Sequence, residues 1–81
     1  MGSKEFQELA MNAVFKVNPN IAISEMYVLW ICKTLQNNKA LISAQSTHNY
    51  YEVTYNGDKK ELYVDEYIKN TNTCLNVNDA L

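Results

Sequence analysis

The sequence predicts a single α+β domain, in which an N-terminal amphipathic helix packs on a four-stranded antiparallel β-meander. A short C-terminal helix or an extended tail follows. Three observations predict this fold. Apolar residues recur at helical spacing through residues 3–17, and four apolar or alternating runs then follow, joined by Asn-containing segments of hairpin length. The chain of 81 residues suffices for one domain with a small core.

The predicted helix spans residues 3–17. Ser3 is expected to cap its N-terminus. Asn18-Pro19-Asn20 is expected to end it, because proline disfavours helix in the residue before it. Ile21 and Ile23 then alternate with small residues, which predicts a short extended lead-in. The apolar stripe that should face the sheet comprises Phe6, Leu9, Ala10, Ala13, Val14 and Val17.

The first hairpin is predicted from two apolar runs, residues 26–36 and 39–44, around Asn37-Asn38. Asn tolerates the positive φ that two-residue hairpin turns need. With these two residues as the turn, Ile31 would lie opposite Ala44. The same turn would place Lys33 opposite Ile42.

The first strand is apolar on both faces in its middle, which predicts a central position in the sheet. Trp30 lies mid-strand and is the expected core anchor, so its replacement by Ala should cost about 3–5 kcal/mol. Cys32 lies in the same apolar run, and we expect it to be buried as a small hydrophobe. Both Cys32 and Cys74 should be free thiols, with a disulfide between them as the alternative.

The second hairpin is predicted around Asn56-Gly57, the strongest short turn signal in the chain. A four-residue connection through residues 56–59 would pair Val53 with Leu62. A tight Asn-Gly turn is the alternative, but it would set Glu52 opposite Glu61, and like charges that face each other destabilise a sheet. The two strands are predicted at residues 50–55 and 60–64.

After the fourth strand the pattern weakens. Asp65 could cap a short helix through residues 66–69. Residues 70–81 are predicted to form either a frayed tail or a weak edge strand, in which Leu75 and Val77 alternate with asparagines.

Composition restricts the function. The chain has seven lysines, no arginine, nine acidic residues and a net charge of −2. Because arginine supplies the planar fork that grips phosphates and reads guanine, sequence-specific DNA binding is disfavoured. Neither a membrane-spanning run nor an apolar signal region is visible, so we expect a cytoplasmic protein without membrane contact. Eleven asparagines, with lysine in place of arginine, are typical of a low-GC genome.

No motif predicts catalysis, a cofactor or a metal site. His48 is the only histidine, and it stands in a polar loop without a partner at ligand spacing. Glu52, Glu61 and Tyr63 should share one face of the second hairpin, where two close carboxylates could form an acid–base pair, but such a face is more often only solvated. The sequence therefore predicts a protein that is not an enzyme.

The six tyrosines are the most unusual feature. Tyr51 and Tyr55 should lie on the buried face of the sheet. Tyrosine is enriched in the cores of interfaces, and it also fits ordinary strand packing or stacking on single-stranded bases. The tyrosines predicted to be partly exposed, and therefore the candidate protein interface, are Tyr27, Tyr50, Tyr63 and Tyr67.

A resemblance to known proteins covers about half of the chain and is carried by residues 28–43 (VLWICKTLQNNKALIS) and residues 50–65 (YYEVTYNGDKKELYVD). They resemble a family of short, uncharacterised proteins encoded by phages, prophages and mobile elements of low-GC Gram-positive bacteria. The resemblance implies a small accessory protein that acts in the bacterial cytoplasm. It implies no activity and no functional residues.

These observations together predict a non-enzymatic protein-binding module that engages a host or phage protein through its tyrosine-bearing sheet face or an edge strand. A self-associating homodimer is the alternative, because exposed aromatic side chains can be covered by a second copy. Weak binding of single-stranded nucleic acid is the third hypothesis.

Overall fold

A computed structural model describes residues 1–81. One helix packs on a four-stranded sheet whose strands pair with their sequence neighbours, all antiparallel. This architecture confirms the α+β fold with a β-meander. The elements are α1 (Ser3–Val17), β1 (Met26–Thr34), β2 (Asn37–Ala44), β3 (Tyr50–Asn56), β4 (Glu61–Tyr67) and α2 (Val77–Ala80).

Helix α1 has the predicted bounds and packs one stripe on the sheet. Gly2 is the N-cap, Ser3 is already the first helical residue, and no side chain caps the helix. The prediction that Ser3 is the cap was therefore wrong. Asn18 closes the other end, before the proline. Phe6, Ala10 and Val14 are buried, four residues apart.

The predicted extended lead-in through Ile21 and Ile23 is a turn instead. Ile21 is buried in the core, and Ile23–Glu25 forms one turn of 3₁₀-helix. The Glu25 carboxylate accepts hydrogen bonds from the backbone and the hydroxyl of Ser46. This side chain therefore ties the start of β1 to the loop between β2 and β3.

The core lies between α1 and one face of the sheet. Alternate residues of each strand point into it, as the period of a pleated strand requires. Its ten buried apolar residues are Phe6, Ala10, Val14, Ile21, Met26, Ala40, Ile42, Ala44, Tyr51 and Val53.

The first hairpin turns two residues earlier than predicted. Its turn is Leu35-Gln36, with Leu35 at φ 55°, and Asn37-Asn38 begins β2. Ile31 consequently lies opposite Ala40 and Lys33 opposite Asn38, rather than Ala44 and Ile42. This register moves the charged Lys33 to the end of the sheet, where its ammonium reaches the Met1 carbonyl at 3.0 Å.

Strand β1 is an edge strand, not the predicted central one. Its register shifts between Val28 and Trp30, a β-bulge that inserts Leu29 as an extra residue. The inserted residue reverses the alternation of side chains, so that Trp30 lies opposite Leu41, away from the core. Trp30 is 42% exposed and Cys32 is exposed too, so both predictions of burial were wrong.

The second hairpin has a four-residue connection, as predicted, but it starts one residue later and runs from 57 to 60. Val53 therefore pairs with Val64 instead of Leu62. Strand β4 continues to Tyr67, so the helix predicted after Asp65 was wrong. The register also sets Glu52 opposite Asp65. Two like charges therefore face each other, the arrangement that counted against the tight Asn-Gly turn.

Beyond Tyr67 the chain leaves the sheet. Residues 68–76 have no helix or strand, so the weak edge strand through Leu75 and Val77 does not form. Asn76 caps α2 by accepting a hydrogen bond from the Asn78 backbone at 3.0 Å. Neither helix has the length and apolar character needed to span a bilayer.

Candidate functional site

The sheet face opposite α1 is the most distinctive surface of the molecule, and we name it the open face. It is formed by the side chains that alternate with the core residues of the four strands. Because α1 covers only the other side, solvent reaches most of these side chains, whereas Ser43 is buried. The open face comprises Tyr27, Trp30, Cys32, Thr34, Asn37, Lys39, Leu41, Ser43, Tyr50, Glu52, Thr54, Asn56, Glu61, Tyr63, Asp65 and Tyr67.

Five aromatic side chains stand on the open face, and their exposed fractions lie between 42% and 51%. They are contributed by both edge strands and by β3. Tyr50 and Tyr67 lie opposite each other across β3 and β4. The five are Tyr27, Trp30, Tyr50, Tyr63 and Tyr67. All four tyrosines of the predicted interface are therefore exposed on one face.

Trp30 is the aromatic residue that sequence reasoning missed, because it assigned this side chain to the core. The cause is the bulge at Leu29, without which Trp30 would share a face with Val28. Neither glycine nor proline marks the bulge in the sequence. Leu41, opposite Trp30, adds an aliphatic neighbour to the aromatic surface.

Charges on the open face are unequal, with one lysine against three carboxylates. The Lys39 ammonium lies 3.5 Å from the Glu52 carboxylate, the molecule's one salt bridge. Glu61 and Asp65 on β4 have no cationic partner. The Glu61 carboxylate raises the pKa of Tyr63, first through a hydrogen bond with its hydroxyl and then through its negative charge. The open face is thus aromatic with an acidic margin along β4.

The predicted group of Glu52, Glu61 and Tyr63 does share this face. Glu61 and Tyr63 interact, but Glu52 lies opposite Asp65 and pairs with Lys39 instead. His48 is exposed in the loop between β2 and β3. No group of three or more His, Cys, Asp or Glu side chains lies close enough together to hold a metal ion. Both cysteines are free.

Two depressions flank the end of the β1–β2 hairpin. Their volumes are about 110 and 290 Å³, at or below the range of roughly 300–1,000 Å³ that is typical of small-molecule sites. Asn38 contributes to both, and its side-chain oxygen is buried without a hydrogen-bond partner. The exposed aromatic side chains of the open face line neither depression.

The comparisons with known proteins identify a family but no activity. A family model described as a "Family of unknown function (DUF6275)" matches residues 3–77, which include the helix, the whole sheet and most of the C-terminal segment. No curated protein and no solved structure matches the chain.

Proposed function

The chain belongs to a family of unknown function, DUF6275, and from the chemistry of its open face we propose that it is a non-enzymatic protein-binding module. The observation that carries the proposal is the set of five half-exposed aromatic side chains on one face of the sheet. Tyrosine and tryptophan offer large contact areas that lose little conformational entropy on binding. They are also the residues most often found at the energetic centres of interfaces.

The charge of the open face favours a protein over a nucleic acid as the partner. Stacking platforms for single-stranded bases combine aromatic side chains with a positively charged groove. Here three carboxylates stand beside the aromatic residues, and the one lysine is paired with Glu52. Phosphates would be repelled along β4, whereas the polar margin of a protein interface accommodates such carboxylates.

We further propose that the protein serves a phage or prophage of a low-GC Gram-positive bacterium and binds a host or phage protein in the cytoplasm. The support is the resemblance of residues 28–43 and 50–65 to proteins of such mobile elements. The asparagine-rich composition without arginine agrees with a low-GC origin.

The proposal is tested by capture with the tagged protein from lysate of a low-GC Gram-positive host. Wild type is compared with Tyr50→Ser/Tyr63→Ser, with and without nuclease, and bound proteins are identified by mass spectrometry. The matched control is Phe15→Ser/Val17→Ser, which removes exposed apolar side chains from α1 on the other side of the molecule. Circular dichroism verifies that all variants are folded.

We expect one stoichiometric protein that survives nuclease, is retained by the α1 control and is lost by the tyrosine variant. Equal capture by the tyrosine variant would remove the open face as the binding surface. Loss of the captured protein after nuclease treatment would instead indicate a nucleic-acid bridge.

Self-association is the second candidate function. It is favoured by a specific observation: the apolar side chains Ile68, Leu75, Val77 and Leu81 of the C-terminal segment are exposed and do not pack against the core.

A further inference from the structure

The smaller of the two depressions lies where the first turn of α1 meets the end of the β1–β2 hairpin. Its volume is about 110 Å³, and it is lined by Ser3, Ile31, Cys32, Lys33 and Asn38. Ser3 belongs to α1, whereas Ile31, Lys33 and Asn38 stand on the sheet face that α1 covers. One water molecule takes up roughly 30 Å³ in the liquid, so this space has room for a small ion.

Asn38 brings an unsatisfied polar atom to this depression. Its side chain lies on the same face of β2 as Ala40 and Ile42, and only 2% of the residue is exposed. The Oδ1 atom is buried and has no hydrogen-bond partner. Burial removes such an oxygen from water, and native proteins seldom leave it without a partner. A ligand that completes the site must therefore donate a hydrogen bond to this oxygen.

The charge at the depression attracts an anion. Lys33 is the one charged residue that lines it, and Glu5, the acidic residue of the first turn of α1, does not. The Lys33 ammonium donates to the Met1 carbonyl at 3.0 Å, which sets its charge beside the start of α1. An ammonium has three hydrogens, so two remain for a ligand.

The start of α1 adds further donors. No side chain caps this helix, so the backbone N–H groups of its first turn, from Ser3 onwards, have no acceptor in the helix or from a cap. These N–H groups form the positive end of the helix dipole, where anions bind.

From these observations we propose that the depression binds a small oxyanion that keeps a hydroxyl hydrogen at neutral pH, the class that includes hydrogen phosphate and bicarbonate. The hydroxyl of the anion donates to Asn38 Oδ1. Its other oxygens accept from the Lys33 ammonium and from the N–H groups at the start of α1. This site is additional to the open face and does not depend on the protein-binding function proposed above.

Other occupants meet only part of these requirements. A metal cation would suit the Asn38 oxygen, but the Lys33 ammonium would repel it. Sulfate has the charge of hydrogen phosphate but no hydrogen to donate at neutral pH, so it would leave Oδ1 without a partner. Water can donate to Oδ1 but brings no negative charge towards Lys33. The depression is also smaller than the roughly 300–1,000 Å³ of typical sites for organic ligands.

The experiment compares oxyanions with and without a hydroxyl. Isotope-labelled full-length protein is titrated with sodium phosphate, bicarbonate or sulfate at neutral pH and constant ionic strength, and amide shifts are followed by NMR. The variants are Asn38→Ala, which removes the acceptor, and Lys33→Gln, which removes the charge. Lys16→Gln is the matched control, because it removes the same charge from the last turn of α1, at the opposite end of the helix.

We expect wild type to show saturable shifts with phosphate, bicarbonate or both, centred on the backbone amide of Ser3 and the side-chain amide of Asn38. Sulfate should bind about tenfold more weakly, the ratio that one hydrogen bond of ordinary strength gives. Asn38→Ala should lower the affinity for phosphate or bicarbonate to that for sulfate. Lys33→Gln should weaken the binding of all three anions, and Lys16→Gln should change none.

Three results would overturn the proposal. Sulfate that binds wild type as tightly as phosphate and bicarbonate would show that charge alone attracts the anion. The absence of saturable shifts up to about 10 mM of either hydroxylated anion would leave water as the occupant. Unchanged binding by Lys33→Gln would place the anion elsewhere, and this exposed residue keeps the test decisive if Asn38→Ala does not fold.

Discussion

Tyr51 and Glu66 lie opposite each other across β3 and β4, and the Tyr51 hydroxyl donates a hydrogen bond of 2.6 Å to the Glu66 carboxylate. The same hydroxyl accepts a hydrogen bond of 3.0 Å from the side-chain amide of Asn18, the residue that closes α1. Asn49 also donates to Glu66. One buried tyrosine thus joins the end of the helix to an edge strand of the sheet.

Removing this hydroxyl should destabilise the fold. We expect Tyr51→Phe to lower the free energy of unfolding by about 1–2 kcal/mol, since it removes a charge-assisted hydrogen bond and leaves the amide of Asn18 without its acceptor. Urea denaturation measures the change. Tyr55→Phe is the matched control, because Tyr55 is a half-buried tyrosine of the same strand whose hydroxyl, unlike that of Tyr51, makes no hydrogen bond within the molecule, and an equal loss in both variants would contradict the assignment.

The same tyrosine should make stability sensitive to alkaline pH. Burial raises the pKa of Tyr51 above 10.0; the hydrogen bond from Asn18 opposes this rise, and the Glu66 carboxylate adds to it. Since the folded pKa exceeds the unfolded one, this group stabilises the fold fully below pH 10 and loses its contribution as the pH rises through the folded pKa. Unfolding free energies measured from about pH 8 to about pH 11 should fall more steeply for wild type than for Tyr51→Phe. Parallel curves would exclude the linkage.

Phe6 and Trp30 should respond very differently to truncation. Phe6 is fully buried beneath the sheet, so Phe6→Ala should cost about 3–5 kcal/mol and largely unfold a domain this small. Trp30 lies on the open face, so Trp30→Ala should cost only about 1 kcal/mol. Thermal unfolding followed by circular dichroism distinguishes the two, and a Trp30→Ala variant as unstable as Phe6→Ala would return this tryptophan to the core.

Gly57 is required by a close approach between the two hairpins. A Cβ at this position would overlap the Gln36 carbonyl oxygen and lie 2.7 Å from the Gln36 Cβ. We expect Gly57→Ala to destabilise the protein by about 1–3 kcal/mol, because the turns must separate. The backbone N–H of Gly57 also donates to the Asn37 side chain at 3.2 Å, a bond that separation would break. Denaturant unfolding measures the loss, and a Gly57→Ala variant as stable as wild type would contradict the close approach.

Leu35 offers a stabilising substitution. It occupies the first turn at φ 55°, a conformation that costs most L-residues about 1–2 kcal/mol, and it is 83% exposed. Leu35→Asn should therefore raise the free energy of unfolding by roughly 0.5–1 kcal/mol, because Asn tolerates this region better. Leu35→Ala keeps the strained backbone and should change stability little. A higher melting temperature in both variants would assign the gain to the lost apolar exposure instead.

The turns show where sequence reasoning reaches its limit. Asn37-Asn38 and Asn56-Gly57 correctly indicated two hairpins, yet the positive φ angles fall on Leu35 and Lys60. Like-charge repulsion did not select the second register either, since Glu52 faces Asp65 while Lys39 offsets part of the charge. Turn preferences of a few tenths to about 1 kcal/mol are outweighed when the register sets Ile31 opposite Ala40 and Val53 opposite Val64 on the core side of the sheet.

The sequence by itself determined the helix, the four strands in their order along the chain, and the exposure of Tyr27, Tyr50, Tyr63 and Tyr67. Helical and alternating periodicities are local, so the printed sequence contains them. Only the tertiary structure decided that β1 is an edge strand and that Trp30 joins the tyrosines on the open face. That placement depends on a single inserted residue, Leu29, in the pairing of β1 with β2. The pairing joins residues that are distant in the sequence, so no local sequence pattern predicts where the bulge lies.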